Sequence, residues 1–313
     1  MRINRQTTAV LLVAAFAAVG CSKPFDERET KAQQQSTKAT PIAVPNAVDA
    51  EDEEGAGGNV PTKSVGPVSF ADGDAAYQAK NYSEAAALFE QYTERRPNNA
   101  WGHYMLGLSA WKAGDPAKAE GAFDDALKID PNHLKSLVNL SRVLIEQRRF
   151  DDALVRLTRA GEVDASSVEV QRLLGRVYAA EHKTDEAVSA YRRAIALDAR
   201  DGWSMNNLGL LLLEQDHAEE ALPLLCRAVL LGKDVPEFHN NLGMALEHTG
   251  RFAAAAAAYR DAVSADPGYR KAQQNLARVE AIKTGHEEPF DVEATATVGF
   301  NDSELPSLSP SIP

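Results

Sequence analysis

Residues 100–133 read AWGHYMLGLSAWKAGDPAKAEGAFDDALKIDPNH, and the 34 that follow, LKSLVNLSRVLIEQRRFDDALVRLTRAGEVDASS, keep the same beat. The beat runs outward in both directions. An alanine returns every 34 residues as Ala85, Ala119, Ala153, Ala187, Ala221 and Ala255. Twelve residues before it stand Gly73, Gly107, Ser141, Gly175, Gly209 and Gly243, and thirteen before it Asp72, Leu106, Leu140, Leu174, Leu208 and Leu242. Four after it stand Phe89, Phe123, Leu157, Tyr191, Leu225 and Tyr259, and seven after it Tyr92, Ala126, Ala160, Ala194, Ala228 and Ala262. A fixed period of this length marks stacked units, each covering an apolar face that its neighbour leaves bare.

Each period holds two helical patterns. One break carries turn and helix-start residues, as in Lys80-Asn81, Gly114-Asp115-Pro116 and Gly250-Arg251. The other carries Arg96-Pro97-Asn98, Asp130-Pro131-Asn132 and Asp266-Pro267-Gly268, which end the second helix. Two antiparallel helices of about a dozen residues each are predicted. At their closest crossing only Gly, Ser or Ala fits, hence the small pair Gly107 and Ala119.

On these residues the chain resembles the tetratricopeptide repeat family. Trp101, Leu106, Gly107, Ala119, Phe123, Ala126, Asp130 and Pro131 carry the fullest match. The resemblance implies an all-α, right-handed superhelical solenoid: six repeats over residues 66–269 and a capping helix over 270–284. Departures are local. Asp72 stands where Leu is usual, Tyr92 where Ala is usual, and Ala165, Ala199 and Lys233 replace the closing Pro. The match is specific for fold and weak for activity.

The ends of the chain read differently. Arg2 and Arg5 precede the apolar run Ala9 to Val19, which is too short for a span and suits a signal h-region. Ala18-Val19-Gly20-Cys21 resembles a bacterial lipobox, so residues 1–20 are expected to be a lipoprotein signal. The resemblance implies acylation of Cys21 and anchoring in a membrane by its acyl chains. An ordinary signal cut after Gly20, or an uncleaved anchor, is the alternative. Ser22, rather than Asp, follows the cysteine, which points to the outer membrane facing the periplasm of a diderm envelope. Residues 21–65 are expected to be a lipidated, disordered linker, with Gln33-Gln34-Gln35 and the acidic run Asp49 to Glu54. Residues 285–313 are expected to be a disordered acidic tail. Within it Val292 to Phe300 alternates weakly, which suggests a short extended segment able to dock.

Composition bounds the function. The formal net charge is −12, and loss of Arg2 and Arg5 with the signal makes it −14. Nucleic-acid binding calls for a basic face, so no nucleic-acid partner is expected. The seven histidines form no i,i+4 pair and have no nearby cysteine, so no metal site is expected. No phosphate loop or nucleophile elbow occurs, no cofactor is implied, and the chain does not read as an enzyme. Cys226 reads as a partly buried, inert thiol.

Function is therefore expected in the concave groove, which the resemblance places on the first helix of each repeat. Fourteen residues before the marker alanines stand Asn139, Asn207 and Asn241, continued by Asn275, with Asn206 and Asn240 beside them. Such a ladder of amides could pair with the main chain of an extended peptide. Lys135, Arg142, Arg172 and Arg176 form a local basic patch resembling a loose carboxylate clamp. Tyr104 and Trp111 are expected to make a side-chain pocket. The reading is an exported, lipid-anchored scaffold that binds a protein or an extended peptide. Six repeats behind a lipobox resemble pilotin lipoproteins and tight-adherence pilus assembly lipoproteins. An adaptor for cell-wall hydrolases or for outer-membrane protein assembly is the alternative.

Overall fold

The computed structural model describes residues 66–282 and 288–298. The expected signal, Cys21, the linker and the chain end beyond residue 298 lie outside the described residues. Within them every element is a helix. Six antiparallel pairs follow in order: α1 (Phe70–Gln78) with α2 (Tyr82–Arg95), α3 (Ala100–Lys112) with α4 (Pro116–Ile129), α5 (Leu134–Glu146) with α6 (Phe150–Val163), α7 (Val168–Ala180) with α8 (Thr184–Leu197), α9 (Gly202–Glu214) with α10 (Ala218–Leu231), and α11 (Pro236–His248) with α12 (Phe252–Ala265). Then come α13 (Arg270–Glu280) and the short α14 (Val292–Ala296).

All six marker alanines are 0 % exposed. The crossing they pack in has a definite cause. A Cβ at Gly107 would lie 2.7 Å from the Phe123 ring, and one at Gly175 or Gly243 would lie 2.6 Å from Tyr191 or Tyr259. The residue four after the marker thus lies on the bare Cα twelve before it, within one repeat. In repeat three the bulk is Leu157, and Ser141 fits, its hydroxyl donating to the Leu137 carbonyl at 2.7 Å.

The turn after each first helix repeats too. Lys80, Gly114, Arg148, His182, Asp216 and Gly250 all have φ between 58° and 85° and lie 34 residues apart. Each closes a Schellman motif: Arg148 N–H donates to Ile145 O, and Arg149 N–H to Leu144 O. Only two of the six are glycine, so four side chains are held in the left-handed region by the repeat geometry. At the other break an aspartate makes the turn. Asp130, Asp164, Asp198 and Asp266 each accept the N–H two residues on. The turn therefore survives the loss of the closing Pro at Ala165 and Ala199.

Repeat one explains its own departures. Asp72 is the third residue of α1 and forms a capping box with Ser69, taking the Ser69 N–H at 2.8 Å. Tyr92 fits because the third residue of α3 is Gly102, whose Cβ would lie 2.8 Å from its ring.

First helices of successive repeats pack on one another, whereas second helices of successive repeats stand further apart. The array therefore curves with α1, α3, α5, α7, α9 and α11 on its inner side. α13 continues that inner row, packing on α12 and α11 and burying Ala272 and Val279.

The tail differs from its reading. Val292–Ala296 is neither disordered nor extended; it is a helix capped by Asp291, whose carboxylate accepts the Ala294 N–H at 2.9 Å. It packs on α10, a second helix, so it does not compete for the inner face.

Candidate functional site

The inner face falls into three parts. At its aromatic end Tyr104 is 7 % exposed. Its ring meets Trp101 edge-on at 5.1 Å and lies 5.3 Å from His133. Burial raises its pKa above the usual phenol value. Tyr104 is thus a core residue bridging repeats two and three, which corrects its assignment to an open pocket. Lys135 places its ammonium 4.9 Å from the centre of the Trp101 ring, and burial lowers its pKa. Trp111 is half-buried, and its indole N–H donates to Glu146 Oε2 at 2.9 Å across the repeat boundary.

The basic patch is corrected as well. Arg142 pairs with Glu169 at 2.5 Å, and Arg172 with Asp201 at 2.7 Å. Asp201 is buried; it caps α9 and takes the Ser204 hydroxyl at 2.5 Å. Arg176 is only 6 % exposed. The two ion pairs join repeat three to four and four to five, so the arginines do not form one open anion site. The carboxylates that meet Arg142 and Arg172 lie 27 and 29 residues further on, out of sight of a row-by-row reading.

The asparagines form one directional chain. Asn275 Nδ2 donates to Asn240 Oδ1 at 3.0 Å, Asn240 Nδ2 to Asn241 Oδ1 at 3.2 Å, Asn241 Nδ2 to Asn206 Oδ1 at 3.0 Å, and Asn206 Nδ2 to Asn207 Oδ1 at 3.2 Å. Arg278 Nη1 opens the chain by donating to Asn275 Oδ1 at 2.9 Å. Asn240 is 2 % exposed, and Asn206 and Asn241 are buried. The ladder exists, but its amides satisfy one another and tie repeat to repeat. This corrects the expectation of amides free to pair with a peptide main chain; Asn207 and Asn275 are half-buried rather than open. Asn139 stands apart, its Nδ2 donating to the Lys135 carbonyl at 2.9 Å.

Comparison with known proteins identifies this architecture. Profiles described as tetratricopeptide repeat match residues 70–133 and 206–270, residues 110–177 and residues 172–202, together spanning most of the array. The chain belongs to the tetratricopeptide repeat family. Among solved structures it is similar to the Cut9–Hcn1 hetero-tetramer of the APC/C (TM-score 0.60, 16% identity), over 67% of this chain and 42% of that one. It is also similar to pilF of Pseudomonas aeruginosa (TM-score 0.58, 19% identity; 67% and 95%). A thermophilic repeat protein of Thermus thermophilus, TTC0263, matches at a TM-score of 0.51 with 20% identity, over 59% of this chain and all of that one. These likenesses show the fold. No curated protein matches the sequence.

The tetratricopeptide repeat array presents one more row on its inner face, to which Arg142 belongs. Eleven residues before the markers, Leu108, Arg142, Leu210 and Met244 are half-buried on the first helices, and Arg278 is exposed. Arg278 clamps Glu247 with Nε to Oε1 at 2.9 Å and Nη2 to Oε2 at 2.7 Å, while the Tyr259 hydroxyl donates to Glu247 at 2.8 Å. Burial pushes that carboxyl up, but these bonds outweigh it and hold its pKa below the usual range. Lys112 is held down to about 8, chiefly by burial and then by Arg142. Cys226 is fully buried, and burial pushes its thiol up to about 12, so it is inert as folded. Among the described residues no cluster of His, Cys, Asp and Glu could hold a metal ion, and no helix is long and apolar enough to cross a membrane.

Proposed function

We propose that this protein is a lipid-anchored scaffold that binds another protein along the inner face of its solenoid. The observation that carries the reading is the pair of half-buried apolar side chains Leu210 and Met244 on adjacent first helices, with Leu108 further along the same face. Since the amides pair with one another and Arg142 and Arg172 pair with carboxylates, partner affinity comes from apolar contact rather than from main-chain pairing. Anchoring through Cys21 rests on the lipobox resemblance. The narrower form is a role in placing secretin or pilus parts; an adaptor for cell-wall hydrolases or outer-membrane protein assembly is the second reading.

Two measurements test it in the full-length protein expressed in a bacterium. Radiolabelled palmitate should enter the chain and be lost with Cys21→Ala; equal labelling of the variant removes the anchor. Leu210→Asp with Met244→Asp should weaken capture of the envelope protein that cross-links to the wild type by about tenfold or more. Undiminished capture by a variant of unchanged helicity sinks the inner face as the binding surface.

A further inference from the structure

The outer side of repeats five and six departs from the rest of the array. Five residues after the marker, Glu90, Thr158, Arg192 and Arg260 are exposed, as second helices facing water should be. The corresponding residue of α10 is Cys226, and it is 0 % exposed. Its outer neighbours Pro223 and Leu230 are half-buried, whereas Ser189 and Ala196 of α8, at the same positions, are exposed. On α12 the outer residues are Ala253, Ala254 and Ala257, where α8 has Asp185, Glu186 and Ser189. α12 thus lacks the acidic first turn of α8, whereas α10 keeps Glu219 and Glu220 there and is apolar only further along, at Pro223, Cys226 and Leu230.

What covers this face is residues 288–298. α10 packs against α9, α11 and α14, and of these only α14 lies outside the repeat register. Ala296 is buried, and Phe290, Val292 and Thr295 are half-buried. Arg251 stands 5.9 Å from the centre of the Phe290 ring. The fit is incomplete. A hollow of about 330 Å³ remains between the segment and the solenoid, lined by Val229, Leu242, Leu246, Ala257, Phe290 and Val292. One buried and three half-buried side chains stand against the entropy of ordering the whole segment.

We propose that this trough is a second protein-binding surface, distinct from the inner face. Its ligand is a short helix with the pattern Pro-Phe-x-Val-x-x-x-Ala, and the tail is a strap that holds the site in cis until a partner helix of that pattern replaces it. The pattern is Pro289, Phe290, Val292 and Ala296 of the chain itself. The inner face can fail its own test without touching this proposal.

Cys226 serves as the reporter, since it is buried on α10, the helix against which α14 packs. The experiment uses the full chain, a maleimide, and peptide mass mapping to read labelling at Cys226. Phe290→Asp with Ala296→Asp, or Ala257→Arg in the trough, should speed labelling at least about tenfold while helicity is kept. A synthetic peptide of residues 288–298, added to the Phe290→Asp, Ala296→Asp protein, should slow labelling back towards the wild-type rate. The same peptide carrying Phe290→Asp should not. Labelling unchanged in both variants overturns the strap. Fast labelling that the peptide cannot slow makes the segment a fixed part of the fold rather than a ligand. Loss of helicity in both variants has the same meaning and also overturns the proposal.

Discussion

Repeats two to four and repeats five to six share one backbone register but are joined by different chemistry. In the first region the joints are Arg142–Glu169, Arg172–Asp201 and Trp111–Glu146, which all involve a charge. In the second region neutral amides run from Asn275 to Asn207 along the inner face, and the charged pairs Arg278–Glu247 and Arg251–Glu219 lie at its more exposed edges. The backbone does not require either. A small residue twelve before the marker and a bulky one four after it set the crossing within a repeat, and the surfaces between repeats are then free to differ. Charged joints are directional and screened by salt where exposed. Amide joints are insensitive to salt and pH.

The sharpest way to break this contrast is to remove one member of each joint. Asp201→Ala leaves Arg172 facing a buried void and removes a helix cap, so it should cost about 3–5 kcal/mol. Asn240→Ala breaks the amide chain in its middle, leaving buried polar groups unmatched at about 1–3 kcal/mol. Urea unfolding at two salt concentrations reads both. Equal losses, or an Asn240→Ala protein as stable as wild type, would erase the difference between the regions.

A smaller effect tests what the regions share. Arg148 and Asp216 sit at the same left-handed turn, one in each region. Arg148→Gly should stabilise by about 0.5–1 kcal/mol, and Asp216→Gly by less, because Asp tolerates that conformation better. A destabilised Arg148→Gly protein would mean that the side chain contributes more than the turn strain removes.

The smallest effect belongs to the charged region alone. Lys112 has a folded pKa of about 8 against 10.5 unfolded. Below about 8 both states hold the proton, and the penalty for the buried charge is fully present. Between about 8 and 10.5 the unfolded state binds more protons, so stability rises with pH there. Lys112→Met should be more stable than wild type at neutral pH and should lack that rise. Parallel stability curves for the two proteins between about pH 7 and 10.5 would contradict it.

Much of the fold was legible because helix pairs crossing at fixed spacing need small residues at fixed spacing. Gly107, Ala119 and Phe123 carry that constraint in a single stretch. The candidate site was less legible. Tyr104 and Asn241 stand in rows that the resemblance assigns to a groove, yet neighbouring repeats close over them. Arg172 read as an open cation because its partner Asp201 belongs to the next repeat's helix cap. The trough on α10 and α12 did leave a trace, in Cys226 and the run of alanines from Ala253. That trace is an absence of charge, which gains meaning only when something is seen to lie on it.

The period of 34 by itself determined the number of helix pairs, their register and the residues at each crossing, because those depend on contacts within one repeat. The tertiary structure decided which polar side chains face each other across repeats and where the tail lies. Those depend on how far one unit rotates against the next, and that rotation is the sum of many small contacts that no single row of residues encodes.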